Sequence, residues 1–430
     1  MNEFKDLFPR GSANTAYAQY FVGNSYLNML TTQGVVIGNV TFEPACRNNW
    51  HIHHAKSGGG QILLCTAGRG WYQEWGKAAQ ELTPGTVVVI PAGVKHWHGA
   101  AKDSWFSHLA VEVSGEETRN EWCEPVSDED YDSITKKPNV YFTKEITPDS
   151  LVRIYEALKV EQKDKVAVKI STGEPGGHNY LHPELIGKLV KKLNGTIVEC
   201  CTAYEGKRLD PAEHWKAVED HGFKTIAEVD IMDEFAEMEI PIEGGYHLDK
   251  DIVGKHLENY GSVLVLSHFK GHAMGGFGGA LKNISIGIAS TKGKTNIHTA
   301  GKTTDYTKLF DNLPEQDVFL ESMADACKGV INYVGKENMA YVSIANRLSV
   351  DCDCDSHPAE PEMGDIGIFA SLDPVAIDQA CYDAVKNSKD LGKHALIERM
   401  DSRHGIRTVE AAAEHGLGSR EYNLISLDEK

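Results

Sequence analysis

Along the first third of the chain apolar residues come in strand-length runs separated by turn residues: "GVVIGNVTFEP", "GQILLCTAGRGWYQEWG", "AQELTPGTVVVIPAGVKHWHGA" and "SWFSHLAVEV". Short apolar runs with regularly spaced turn signals predict a small all-β barrel or sandwich over residues 17–125. Residues 126–138, "VSDEDYDSITKKP", are polar and acidic and end in proline; they read as a linker. The pattern then changes. "VAVKIS" reads as a strand, "LHPELIGKLVKKLNG" as an amphipathic helix closed by Gly195, and "TIVECC" as the next strand, a β-α-β unit. Asp210 and Pro211 mark one helix start, and Asp373 and Pro374 another, because an acidic cap followed by proline satisfies the first orphan N–H groups. Residues 139–428 are therefore expected to form an α/β domain with a mixed or parallel sheet.

Composition narrows the function classes. The 430 residues carry a formal charge of −19, which argues against a nucleic-acid-binding surface. No apolar run approaches the ~20 residues that cross a bilayer. The first residues, "MNEFKDLFPRGSANTAYAQYF", lack an apolar leader core, so a cytoplasmic protein without a membrane partner is expected. Nine cysteines, odd in number and scattered, read as thiols rather than a disulfide framework.

Candidate chemistry concentrates at "HIHHAKSGGGQ", residues 51–61. Alternate residues of a strand share a face, so His51 and His53 point the same way. A glycine-rich loop can return Gln61 to that face, and His96 or His98 comes from a later strand. Three imidazoles and one oxygen suit zinc, iron, nickel or manganese. Surface histidines are common, and a single His-x-His is weak evidence alone.

The histidine pair, the glutamine, "GRGWYQ", "LTPGTVVVIPAGVKHWHGA" and "SHLAVEV" together resemble the two motifs of the cupin superfamily, and most nearly the small cupins that include bacterial hydroxynitrile lyases. That resemblance implies a double-stranded β-helix, metal ligands at His51, His53, Gln61 and His96, and pocket imidazoles at His98 and His108, the candidates for proton transfer. It also implies a homodimer. The stretch from His53 to Gln61 is longer than in those lyases, which puts the oxygen ligand in question.

In the second half, "SHFKGHAMGGFGGALKNISIGIASTKGK", "DCDCDSHP" and "DIGIFASLDPVAIDQACYDAV" resemble a widespread prokaryotic domain of unknown function, number 362 in its series, usually met in iron–sulfur centre proteins. Many relatives carry ferredoxin-type cysteine runs there. Here the corresponding segment, "NIHTAGKTTDYTKLFDNLPEQDVF", has no cysteine, so ferredoxin-type 4Fe–4S clusters are not expected. Cys352, Cys354 and His357 are a candidate second metal site, assisted by His268 and His272. The glycines of "GHAMGGFGGALKN" offer close backbone approach to an anion, with Lys270 or Lys282 as counter-charge, or simply a tight crossover.

Three functions follow as expectations. The first is a metal-dependent cupin enzyme, a lyase or oxidoreductase, acting on a small polar carbonyl-type molecule. The second is a cupin that senses a small ligand and regulates the α/β half. The third makes that half a redox protein served by a separate electron-transfer protein.

Overall fold

The computed structural model describes residues 5–77, 79–135 and 137–428. It divides into two compact units, Met1–Lys136 and Lys137–Lys430.

The first unit is built from two antiparallel sheets. One runs Ser12–Ala13, Ser25–Thr31, Ile37–Phe42, Phe106–Glu112, Gln61–Gly68, Val87–Ile90 in spatial order. The other runs Gln80–Leu82, Gly70–Glu74, Lys95–Ala100, Arg47–Asn48, Phe21–Val22, and the strand His51–His54 pairs with both Lys95–Ala100 and Arg119–Trp122. Alternation sets the inside: His51 and His53 are buried while Ile52 and His54 are less so. Phe42, Leu63, Leu82, Ile90 and Phe106 fill the apolar end of the interior.

Both expected boundaries of this unit shift. The barrel starts before residue 17: Ser12–Ala13 pairs with Tyr26 and Leu27, and the Asp6 carboxylate accepts from Thr41 Oγ1 at 3.0 Å and Ser107 Oγ at 2.5 Å. The segment 126–138 is not a linker loop, because Asp128–Thr135 is a helix strapped to the barrel. Tyr131 and Val126 are buried against Trp50 and Trp97, and Tyr131 Oη donates to the Ala100 carbonyl at 2.6 Å. The Arg47 guanidinium donates to Val126 O at 3.0 Å and lies 4.5 Å from the Tyr131 ring centre. One aromatic residue among acids leaves no periodic signal, so composition alone reads as a loop.

The second unit is an eight-stranded mixed sheet in the order Val229–Ile231, Thr196–Glu199, Val166–Lys169, Ser262–His268, Met339–Ala345, Gly367–Ser371, Asn139–Thr143, Asn423–Ser426. The first five are mutually parallel, and Gly367–Ser371 runs against both of its neighbours. Apolar clusters cover both faces, as buried parallel strands require. The expected caps form: Asp210 accepts from Ala212 N and Glu213 N, and Asp373 from Val375 N and Ala376 N. No helix among the described residues is long and apolar enough to cross a membrane.

Truncating the strap's anchor, Tyr131→Ala, is expected to cost about 3–5 kcal/mol, the range for emptying a large buried aromatic site. Chemical denaturation followed by tryptophan fluorescence of the first unit checks this; a loss under about 1 kcal/mol would mean that the helix is only loosely attached.

Candidate metal centre and a second cavity

The strand register places the histidines together. His51 on His51–His54 sits opposite His96 on Lys95–Ala100, and His98 follows two residues on, sharing the face of His96. Trp97, between them, points the other way into the Trp50–Tyr131 cluster. Ring centroids of His51, His53 and His96 lie 4.1–5.4 Å apart. His108, from the opposite sheet, meets the His98 ring edge-on at 4.7 Å. All five rings are buried.

Gln61 reaches this cluster through the lengthened loop. Ser57–Gly58 pairs with Gly115–Glu116, and Gly58, Gly59 and Gly60 all take positive φ before the chain re-enters a strand at Gln61. At Gly60, with φ of 96°, a Cβ would lie 2.2 Å from the Ile90 carbonyl oxygen, so only glycine closes this turn. Gln61 then lies against His53. The longer loop is taken up by this small ribbon, and Gln61 still reaches His53.

Hydrogen bonding fixes which nitrogen of each ring carries the proton. His51 Nδ1–H donates to Asn49 O at 2.9 Å, His96 Nδ1–H to Val94 O at 2.9 Å, and His53 Nδ1–H to Asn120 Oδ1 at 2.7 Å. Each bond leaves Nε2 with its lone pair, the form that ligates metals. His53 Nε2, His96 Nε2 and Gln61 Oε1 are buried and make no hydrogen bond of good geometry. Orphaned acceptors of this kind are costly unless a cation or donor meets them. The donor set of three imidazoles and an amide oxygen fits a divalent transition metal.

His98 is also within reach: one nitrogen each of His51, His96 and His98 lie within 4.8 Å of one another. Its ring, however, already has a partner. The Asn48 side chain accepts from His98 N at 2.9 Å, which orients its NH2 group to donate to the ring at 3.0 Å from Nε2. His98 therefore stands in one cluster with His51 and His96, while His53 and Gln61 flank it with buried acceptor atoms of their own. His108 makes no hydrogen bond of good geometry from either nitrogen. Burial is the leading cause that lowers every ring: His51 and His98 fall well below the usual histidine value, His53 falls too, and His96 and His108 drop to about 4. All five are therefore neutral at pH 7.

Sequence patterns did not single out Asn49, Asn120, Asn48 or Trp122, which stacks on His51 at 4.8 Å. The alternation in "RNEW" was the available signal, since Asn120 and Trp122 pair directly with His53 and His51.

In the second unit a cavity of about 820 Å³ gathers most of the remaining candidates: His268, Lys270, His272, Lys282, Cys352 and Cys354 all line it. His357 lies at its mouth, exposed and bonded to Ser356, so it does not join the two cysteines. His272 does, with one nitrogen within 4.8 Å of both sulfurs. Cys352 and Cys354 are bonded to each other as a disulfide, which corrects the reading of them as thiols. His268 donates from Nδ1 to Asp353 at 2.9 Å and from Nε2 to Asn346 O at 2.6 Å, leaving no lone pair for a metal. The glycine segment does not present a free helix N-terminus: the Asp378 carboxylate accepts from Ala280 N at 2.7 Å and Leu281 N at 2.9 Å. A Cβ on Gly279 would fall 2.3 Å from that carboxylate, so the glycine serves the crossover.

A two-sheet barrel with this buried histidine cluster is a cupin, and here it is joined to an α/β unit. The chain belongs to the family described as Domain of unknown function (DUF362), whose model matches residues 166–383. The chain is similar to an (R)-mandelonitrile lyase of Granulicella tundricola, 45% identical over 93 residues, which cover 22% of this chain and 68% of that protein. Among solved structures it is similar to a cupin-like protein of Thermotoga maritima, 40% identical, covering 31% of this chain and 98% of that one with a TM-score of 0.28. It is also similar to a DMSP lyase of Ruegeria pomeroyi at 19% identity, covering 29% and 63% of the two chains with a TM-score of 0.22.

Asn120→Ala is expected to lower metal affinity about 10- to 100-fold, by freeing the ring whose proton Asn120 holds; competitive chelator titration checks it, and unchanged affinity would detach His53 from the centre. A second expectation concerns pH in metal-free protein. The buried rings titrate below their unfolded value near 6.5, so the unfolded state binds more protons at lower pH. Stability of the first unit is complete above about pH 6.5 and falls as pH drops towards about 4. Denaturant midpoints measured from pH 7.5 to 4.5 in the presence of chelator test the slope, and a flat profile would contradict it.

Proposed function

We propose that the first unit is a metal-dependent lyase that makes or breaks a carbon–carbon bond beside the oxygen of a small, polar, carbonyl-type substrate such as an α-hydroxynitrile. The observation that carries this is that His53 Nε2, His96 Nε2 and Gln61 Oε1 are all buried in the barrel and make no hydrogen bond of good geometry. The likeness to the mandelonitrile lyase supports the choice of reaction.

His51, His53, Gln61 and His96 would hold a divalent manganese, iron, zinc or nickel ion. When bound, such an ion supplies Lewis-acid polarisation of a substrate oxygen. The protein's own contribution is proton handling. In the cleavage direction a neutral imidazole takes the hydroxyl proton, the C–C electron pair leaves on the departing carbon, and the carbonyl forms. The same ring then returns the proton to the departing group. His108 fits the role of base because it is neutral and neither nitrogen is committed to a hydrogen bond of good geometry. His98, 4.7 Å from it and fixed by Asn48, is the positioning neighbour.

With metal-loaded full-length protein and (R)-mandelonitrile as probe, His108→Gln is expected to lower kcat about 100-fold or more while metal content stays at the wild-type level. Aldehyde release followed by absorbance reads the rate. Turnover that survives within about threefold would remove His108 as base. Stabilisation by the probe without turnover in the wild type would replace catalysis with ligand sensing.

A further inference from the structure

The cavity of the α/β unit lies where the sheet changes direction. From Val166–Lys169 the chain builds outward through Thr196–Glu199 to Val229–Ile231, then returns to place Ser262–His268 on the other side of Val166–Lys169. The carboxyl ends of these strands carry Lys169, Glu199 and His268, and all three line the cavity. In open parallel sheets, the crevice outside the carboxyl ends at such a reversal is where ligands bind. Asn283 bridges the two diverging strands, donating to Lys169 O at 3.2 Å and Ser267 Oγ at 3.1 Å.

Charge is unbalanced in the interior part of the wall. Lys169, Arg208, Lys270, Lys282 and Lys294 line the interior, against the buried carboxylates Glu174, Glu199 and Asp353. Those carboxylates are already engaged. Arg208 bridges Glu174 at 2.9 Å and Glu199 at 2.7 Å, and Asp353 accepts from Lys270 at 2.5 Å and from His268. The other lining acids sit at the mouth: Glu205 and Asp355 are exposed, and Asp351 pairs with Arg399 at 3.1 Å. Lys169 and Lys294 reach only neutral oxygens, Ile170 O with Asn283 Oδ1 and Ala289 O respectively. Lys282 faces the space without a bonded partner among the described residues; burial, and then Lys270, push it down to about 7.

His272 supplies a neutral donor. Its Nδ1 accepts from Gly275 N at 2.8 Å and Met274 N at 3.3 Å, so the neutral ring carries its proton on Nε2. This is the opposite tautomer from His51, His53 and His96, and it suits an oxygen anion. Thr202 Oγ1, on the same wall, is buried and unpaired. Met274, Ile286, Leu309 and Phe310 add apolar surface.

We propose that this cavity binds an organic anion of cofactor size, with a doubly charged phosphate or dicarboxylate group held by Lys282, Lys169, Lys294 and the Nε2–H of His272, and an apolar body against Met274, Ile286 and Phe310. A volume of about 820 Å³ suits such a ligand. Lysines that line an enclosed cavity without carboxylate partners are the feature an anion would satisfy.

Isothermal titration of the full-length protein at low ionic strength tests it, with 1-naphthyl phosphate, phthalate and neutral 1-naphthol as probes. At least one anion is expected to bind at least about tenfold more tightly than naphthol. Lys282→Gln should weaken it about tenfold, and Lys282→Arg should restore it to within about threefold. Surface Lys188→Gln should change nothing. Preference for naphthyl phosphate assigns a phosphate ligand, preference for phthalate a dicarboxylate, and equal binding a site that reads charge alone. If Lys282→Gln fails to fold, His272→Phe, which removes the Nε2–H, is expected to give the same loss. Anions that bind no better than naphthol, or no loss in a folded Lys282→Gln or His272→Phe variant, would overturn the proposal.

Discussion

The first unit is organised by the burial of five imidazoles inside one small barrel. Burial keeps them neutral, and neutrality gives each ring one donor and one lone pair to place. Backbone carbonyls of Asn49 and Val94 and the amide of Asn120 take three of the donors, which leaves the Nε2 lone pair on each of those rings. Without a cation there, the arrangement holds unpaired acceptors in an apolar interior. The Asn120 strand, the Gly58–Gly60 turn and the pairing of His51 with His96 all shape this cluster.

The same residue type is put to the opposite use in the second unit. There two backbone N–H groups point at His272 Nδ1 and force its proton to Nε2. His51, His53 and His96 therefore present lone pairs and His272 presents a donor. A histidine count could not separate a metal centre from an anion pocket, because the difference lies in what meets Nδ1. The buried cations around His272 agree with the donor reading, and the disulfide between Cys352 and Cys354 leaves no thiolate beside it.

Much of this was legible in the sequence because the underlying signals are local. Strand alternation put His51 and His53 on one face, and the caps at Asp210 and Asp373 formed as their neighbours dictate. What was missed depends on pairing at long range. The strap around Tyr131 is held by Arg47 and by the Ala100 carbonyl, and nothing in "VSDEDYDSITKKP" itself announces either contact. The same holds for Asn120, which matters only because its strand lies beside His51–His54. His357 looked equivalent to other ligands by spacing, yet the turn after Cys354 carries it to the surface, while His272 arrives from more distant sequence.

X-ray absorption spectroscopy of the full-length protein loaded with one equivalent of manganese or zinc tests the central claim most directly. A first shell of nitrogen and oxygen only is expected, with the outer-shell scattering of about three imidazoles, as the donor set proposed for the barrel requires. A shell containing sulfur, or one without imidazole scattering, would place the metal outside the barrel and contradict the account.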